Sequence, residues 1–264
     1  MVKKILAKSY LWLILLLLYA PILLLVFFSF TDTTTIGTWN GFSFKPYQNL
    51  FGNKDIMTAL KNTVILALTA GVASTILGTV GAIGIFYSSR RSKTAINAMS
   101  QIPVVNAEIV TALSLRILFA FFNIKLSFLT LLIGHVVLTV PFVVLSILPK
   151  LQQMDNNVYE AALDLGATPS RALWSVLIPQ IAPGIIAGFI LALTLSLDDY
   201  IITAYTRSDS FSTISTIVEG AVRIRGLSNA YRALTTLIFL AVLGILITMN
   251  IMAGKKKAKL ERKL

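Results

Sequence analysis

The chain has 264 residues, of which 56% are hydrophobic and only 13% charged, and it carries a net charge of +12 at neutral pH. Soluble domains run nearer to about 45–50% apolar and about 25% charged, so a mean hydropathy of +0.81 makes lipid the expected main solvent. The absence of cysteine removes disulfides, thiolate metal sites and thiol nucleophiles, and the single histidine, His135, has no second histidine with which to build a metal site.

Apolar runs of about 20 residues, the length that crosses a ~30 Å hydrocarbon core, predict about six transmembrane helices near residues 10–30, 60–88, 102–122, 127–149, 181–204 and 233–253. They leave no stretch long enough for a separate soluble domain. The expected fold is therefore all-α and polytopic, with residues 1–264 as one transmembrane domain. The first run, following MVKKILAKSY, is longer than the ~7–15 residue core of a signal peptide and lacks a small-x-small cleavage site, so it reads as an uncleaved span.

In the second run Gly71, Ser74, Gly78, Gly81 and Ala82 recur every three or four positions, a face that lets another helix backbone come close. Pro141 is expected to kink the fourth span, and Pro183 to open the fifth. Two outer segments, 31–59 and 205–232, have room for short helices.

Lysine and arginine set the orientation. Lys3, Lys4, Lys8, Arg90, Arg91, Lys93, Lys150, Arg171 and the basic residues of 255–263 fall on one side of a six-span layout. That majority places both termini in the cytoplasm of a bacterial cell membrane, since positive flanks favour the cytoplasmic face. With the basic residues so assigned, no surface is left for nucleic acid, and none is expected as a partner.

The ionisable residues that stand as intramembrane candidates are Glu108, Arg116, Asp198 and Asp199. Each costs roughly 2.5–3.5 kcal/mol at a helix centre and so marks either a pair or a pathway. Arg116 and Asp198 lie at similar depth and form a candidate ion pair. The alternative is a substrate pathway in which Asp198 or Asp199, with Tyr200 or Tyr205, meets a cationic substrate by charge and cation–π attraction, Glu108 contributing after them. His135 is expected to be a buried, hydrogen-bonded packing residue.

The segment 150–180, cytoplasmic in this layout, is patterned beyond the needs of a connector. Asn156 or Asn157 caps a helix that carries Glu160 and Asp164 and ends at Gly166, and Thr168 with Pro169 starts a second helix that ends before Pro179. The expected result is a surface helix-turn-helix whose Tyr159, Ala161, Ala162, Leu165 and Ala167 offer a small apolar face for a partner's groove. A connector helix packed on the membrane surface fits the same physics equally well.

Glu160-Ala161-Ala162, three residues, Gly166, nine residues, Val176, one residue, then Ile178 and Pro179 resembles the EAA loop of ABC importer permeases, EAA-x3-G-x9-I-x-L-P. Every spacing matches, with Val176 and Ile178 as conservative apolar departures. The stretches AEIVTALSLRILF, PFVVLSILPKL and LTLSLDDYIITAY extend the resemblance to the PotC-type permeases of spermidine/putrescine importers. The resemblance implies a type I importer permease fold. It implies that an ABC ATPase dimer docks at Tyr159 to Ala167, including Glu160, Asp164 and Gly166. It further implies a second, PotB-like permease subunit and an extracytoplasmic polyamine-binding protein.

No G-x-x-x-x-G-K-[ST] motif occurs, so ATP and its magnesium are expected to be used by the partner ATPase, with no cofactor or metal bound by this chain and no enzyme activity of its own. A permease for another small cation or solute would share these features. A non-ABC secondary transporter lacks support, because neither matching halves nor paired broken helices are seen. A membrane scaffold would need only the docking loop, and the absence of a soluble ATPase on purification would favour it.

Overall fold

The structure, a computed structural model, describes residues 2–33, 37–89, 107–224, 229–240 and 243–244, and every regular element among them is helical. The chain divides into two compact units, Met1–Met57 with Val218–Leu264, and Thr58–Ile217. The elements in order are α1 (Val2–Phe28), α2 (Lys45–Gly52), α3 (Lys54–Tyr87), α4 (Glu108–Phe121), α5 (Phe128–Gln153), α6 (Asn156–Asp164), α7 (Pro169–Ala172), a π-helical turn (Leu173–Leu177), α8 (Ile178–Asp198), α9 (Ile201–Thr206), α10 (Ile214–Ile224) and α11 (229–240).

Four of the described stretches are long and apolar enough to cross a membrane: Ser9–Phe28, Lys54–Tyr87, Phe128–Gln153 and Pro169–Asp198. They coincide with the predicted first, second, fourth and fifth spans. The predicted third span is represented by α4, its residues 102–106 lying outside the described residues, and most of the predicted sixth, 233–253, lies outside them too.

In the first unit α1 is leucine-rich, and none of its residues 9–28 is buried against the rest of the chain. Such a surface suits hydrocarbon, where exposed leucine carries no penalty. Beyond its end Phe30, Phe42, Phe44 and Tyr47 form an aromatic cluster, with the Phe30 and Phe42 rings stacked at 5.3 Å and the Tyr47 hydroxyl 2.8 Å from Ser29 Oγ.

Arg232, the last residue of the predicted outer segment 205–232, is fully buried in α11. Its Nη1 donates to the Phe28 carbonyl (3.3 Å) and its Nη2 to the Thr33 carbonyl. A cation placed on the orphan carbonyls at the end of α1 is favoured by the helix dipole, which accounts for its departure from the flanking pattern.

The second unit is built on α5. Its closest neighbour is α8, where Gly184 and Gly188 lie against the backbone of α5 at Ser146, Ile147 and Val143. On α3 the small-residue face is the packed face: Gly78 meets Val143, Gly81 meets Val144, and Ser74 Oγ lies 2.6 Å from Thr139 Oγ1. Ala82, Val143, Val144, Ile147, Leu151, Leu177 and Ile181 form the shared core. Without a hydrophobic force between lipid-solvated helices, close backbone approach and interhelical hydrogen bonds hold such a bundle.

Several hydroxyls inside the helices of the second unit are satisfied locally. Thr63, Thr75, Thr79, Thr139, Ser146 and Thr194 each donate to the carbonyl four residues earlier, as a lipid environment requires.

Three boundaries differ from expectation. α3 begins at Lys54 rather than near residue 60, because Asn53 Oδ1 accepts from the Asp55 and Ile56 amides and starts the helix ahead of the apolar run. The fifth span does not open at Pro183, which lies inside α8; helical structure runs unbroken from Pro169 to Asp198. It also does not continue to residue 204, since Asp199 is extended (φ −64°, ψ 127°) and separates α8 from α9.

Candidate functional site

The segment singled out in the sequence forms a bent pair of helices. α6 is capped by Asp155, whose carboxylate accepts from the Asn157 amide at 3.0 Å, so the cap falls ahead of both predicted positions, Asn156 and Asn157. The helix ends in a Schellman motif: the Gly166 amide donates to Leu163 O and the Ala167 amide to Ala162 O. Gly166 occupies the required left-handed position with φ +86°. Thr168 then caps α7, accepting from the Arg171 amide, and Pro169 takes its first position.

The second helix of the bend does not end before Pro179 as expected. It passes through the π turn Leu173–Leu177, closed by the Ile178 amide on the Leu173 carbonyl, straight into α8. Pro179 has no amide to offer the carbonyl four residues earlier, and a widened turn just before it is a common way to absorb that missing bond. The bend and the membrane-length helix are thus one continuous element.

On α6, Glu160, Ala161, Asp164, Leu165 and Gly166 are exposed, Leu165 at 88%. Ala162 and Ala167 are half-buried. Tyr159 turns inward, its ring 6.1 Å from that of Tyr87 at the end of α3, and packs on the main core. One face of the helix is anchored, and the other presents a large apolar side chain beside carboxylates, an arrangement suited to a partner.

The ionisable residues sort into two places. Glu108, at the first turn of α4, and Asp198, at the last turn of α8, are both exposed into a cavity of about 350 Å³ that Thr194, Leu195, Asp199 and Tyr200 also line. Among the described residues no basic side chain lines it. Tyr205 and Arg116 lie elsewhere, in a second cavity of about 500 Å³ with Arg207 and Asp209.

Arg116 directs Nη1 to the Tyr205 carbonyl at 3.5 Å, and the Arg116–Asp198 ion pair is not formed. α9 runs beside α4, with Arg116 at Tyr205 and Glu108 at the Asp198–Tyr200 level. Eight helical residues separate the two levels by about 12 Å. The structure therefore brings together Glu108, Asp198, Asp199 and Tyr200 and leaves Tyr205 apart.

Sequence reasoning did not find the groups behind Asp199. His135 on α5 is fully buried, with Nδ1 2.8 Å from Ser196 Oγ and Nε2 2.9 Å from Thr203 Oγ1. The available signal was Asp199 standing just ahead of the helical run IITAYT, the position of a capping residue.

A helical chain with membrane-length spans, a bent exposed segment and an acidic cavity among the helices has the build of a membrane permease. Its fold is that of ABC importer permeases: it aligns with a bacterial ABC transporter involved in the import of the acidic polysaccharide alginate at TM-score 0.69, 17% identity, over 96% of this chain and 95% of that one. The chain belongs to the family of binding-protein-dependent transport system inner membrane components, whose model matches residues 1–254.

Among similar proteins, the spermidine/putrescine transport system permease protein PotC of Escherichia coli (strain K12) is 28% identical over 97% of both chains. The putrescine transport system permease protein PotI of the same organism is 34% identical over 92% of this chain and 89% of its own.

Proposed function

We propose that this chain is the permease subunit of an ATP-driven polyamine importer, with spermidine or putrescine as the substrate. The observation that carries the substrate class is the cavity in which Glu108 and Asp198 are exposed with no basic side chain in its lining among the described residues. Carboxylates left unpaired among membrane helices are costly unless a cation completes them. A flexible diamine or triamine supplies ammonium groups for both carboxylates, and Tyr200 adds an aromatic face for cation–π contact. The names of the similar permeases support the same class.

The bent segment around Glu160 to Gly166 takes the soluble ATPase in this proposal, with exposed Leu165 as its apolar anchor and both chain termini on the same, cytoplasmic side. Because α7, the π turn and α8 are continuous, a displacement of the bend reaches the acidic end of α8 at Asp198 without an intervening loop. Nucleotide and loaded binding protein shift the inward- and outward-facing populations only insofar as they bind the two states with different affinity. A second, PotB-like permease completes the pathway, and an extracytoplasmic binding protein delivers the substrate.

Uptake of labelled spermidine by the assembled transporter tests the substrate assignment. Glu108→Gln and Asp198→Asn are each expected to raise the half-saturation concentration by about tenfold, the weight of one charge-assisted contact at roughly 1.4 kcal/mol. If both variants keep the wild-type half-saturation, the cavity is not the cation site.

A further inference from the structure

Two aspartates stand side by side at the end of α8, but their surroundings differ. Asp198 is exposed into the acidic cavity. Asp199 turns inward, with its side chain 2% exposed. Its Oδ1 accepts from the Ile202 amide (3.1 Å), and its Oδ2 accepts from the Thr203 amide (2.8 Å) and the Thr203 hydroxyl (2.8 Å). Asp199 thereby caps the first turn of α9 with its side chain from one residue ahead of the N-cap Tyr200, its lone pairs committed to the protein rather than to a ligand.

The donors behind it form a directed chain. The one hydroxyl proton of Thr203 goes to Asp199, whether to the carboxylate at 2.8 Å or to the carbonyl at 3.3 Å. Thr203 Oγ1 therefore accepts from His135, so that Nε2, which also lies 3.5 Å from Asp199 Oδ2, carries the proton when the ring is neutral. Nδ1 is then the acceptor, and Ser196 donates to it. The sequence of donors is Ser196 to His135 to Thr203 to Asp199, every step 2.8–2.9 Å long.

Ser196 belongs to the last turn of α8 and Thr203 to the first turn of α9, so the imidazole spans the break between the helices. The break itself is closed by Ser215, whose hydroxyl donates to the Asp199 carbonyl at 2.8 Å. On the far side the His135 carbonyl accepts from Thr139, which lies against Ser74 of α3. The side chains of Ser196, His135, Thr203 and Asp199 are thus all hydrogen-bonded to one another, a condition under which a buried network specifies one geometry.

Building on the acidic-cavity proposal, we infer that His135 is a positioning residue for the substrate-binding carboxylate of Asp198: it fixes the last turn of α8 against α9 and so sets the direction in which Asp198 faces the cavity. His135 touches no substrate. Its effect is on the placement of a neighbouring charge, and a site of this kind loses affinity when its supporting groups are displaced by a fraction of an ångström.

Spermidine uptake by the assembled, ATP-energised transporter gives the test. His135→Leu is expected to raise the half-saturation concentration severalfold while the maximal rate stays within about twofold, and His135→Gln, which can still donate to Thr203, is expected to restore most of the affinity. In an Asp198→Asn background His135→Leu is expected to add nothing further, because contributions acting through one group are not additive. A wild-type half-saturation in His135→Leu overturns the inference, as does a full additional loss in the Asp198→Asn background or a failure of His135→Gln to recover affinity. Should His135→Leu not reach the membrane, Thr203→Val breaks the same chain, and the same criteria apply to it. If Glu108→Gln and Asp198→Asn are themselves silent, the cavity assignment fails and the positioning role falls with it; if they respond while His135→Leu does not, only the positioning role fails.

Discussion

Replacing Gly166 with valine is expected to lower ATP-driven uptake by roughly one to two orders of magnitude, the equivalent of about 1–3 kcal/mol of backbone strain, with the amount of protein in the membrane unchanged. Gly166 has φ +86° and no atom within 4 Å of an added Cβ, so the substitution meets no steric obstacle in the folded chain. The cost lies in the backbone, where a β-branched residue disfavours the left-handed region. Losing that conformation opens the Schellman motif, frees the Ala162 and Leu163 carbonyls, and reorients exposed Leu165 and Asp164 relative to α7.

Asparagine, which tolerates this region, is expected to retain much of the uptake, and alanine to fall between. Membrane quantity by immunodetection, spermidine uptake and copurification of the soluble ATPase are the three readings. Normal uptake in Gly166→Val would remove the bend from the coupling route, and a full loss in Gly166→Asn would show that contact with a partner, not backbone geometry, governs the position.

The cap and bend at Gly166, Thr168 and Pro169 were legible because each depends on a residue type with a narrow conformational preference. The packed face of α3 was legible for a similar reason, since glycine, serine and alanine at helical spacing have one common use among lipid-solvated helices. Less visible were the places where polar residues extend a helix. Lys54 and Asp55 look like loop in a hydropathy profile, yet Asn53 caps them into α3. The continuity from Pro169 to Asp198 was hidden by Pro179 and Pro183, which ordinarily mark starts, and which here follow a π turn or lie inside the helix.

At the acidic site the composition was visible and the geometry was not. Asp198 and Asp199 are identical as letters, and only the break after α8 turns one outward and the other into the cap of α9. The same break undoes the Arg116–Asp198 pairing: a fifth span continuing to residue 204 would put those two at one depth, whereas α8 stops at Asp198 and α9 carries Tyr205, not an aspartate, to Arg116. His135 was expected to be buried and bonded, but its partners, Ser196 and Thr203, lie far away in sequence and gave no signal of their own.

Replacing Gly78 with leucine is expected to abolish folded protein, and replacing it with alanine to lower the thermal midpoint in detergent by several degrees. An added Cβ at Gly78 meets Val143 Cγ1 at 2.6 Å and Val143 Cβ at 2.7 Å, with the Val140 carbonyl at 3.4 Å. Val143 cannot yield, being fully buried and held from the other side by Gly188, whose own Cβ would lie 3.1 Å from Val143 Cγ1 and 3.3 Å from its Cα. A single side chain on α5 is thus clasped between glycines of α3 and α8, and overpacking at such a point costs about 1–3 kcal/mol for small additions and more for large ones.

The neighbouring glycines of α3 supply the control. At Gly81 the nearest atom to a new Cβ is Val144 Cγ2 at 3.8 Å, and at Gly84 nothing lies within 4 Å. Alanine at either is expected to be neutral or to stabilise by about 0.5–1 kcal/mol through helix propensity. Val143→Ala should relieve Gly78→Ala only in part, since it removes the contact at 2.6 Å and leaves Cβ at 2.7 Å. Equal midpoints for Gly78→Ala and Gly81→Ala would mean that α3 and α5 do not meet at Val143, and the close approach on which this part of the bundle depends would have to be given up.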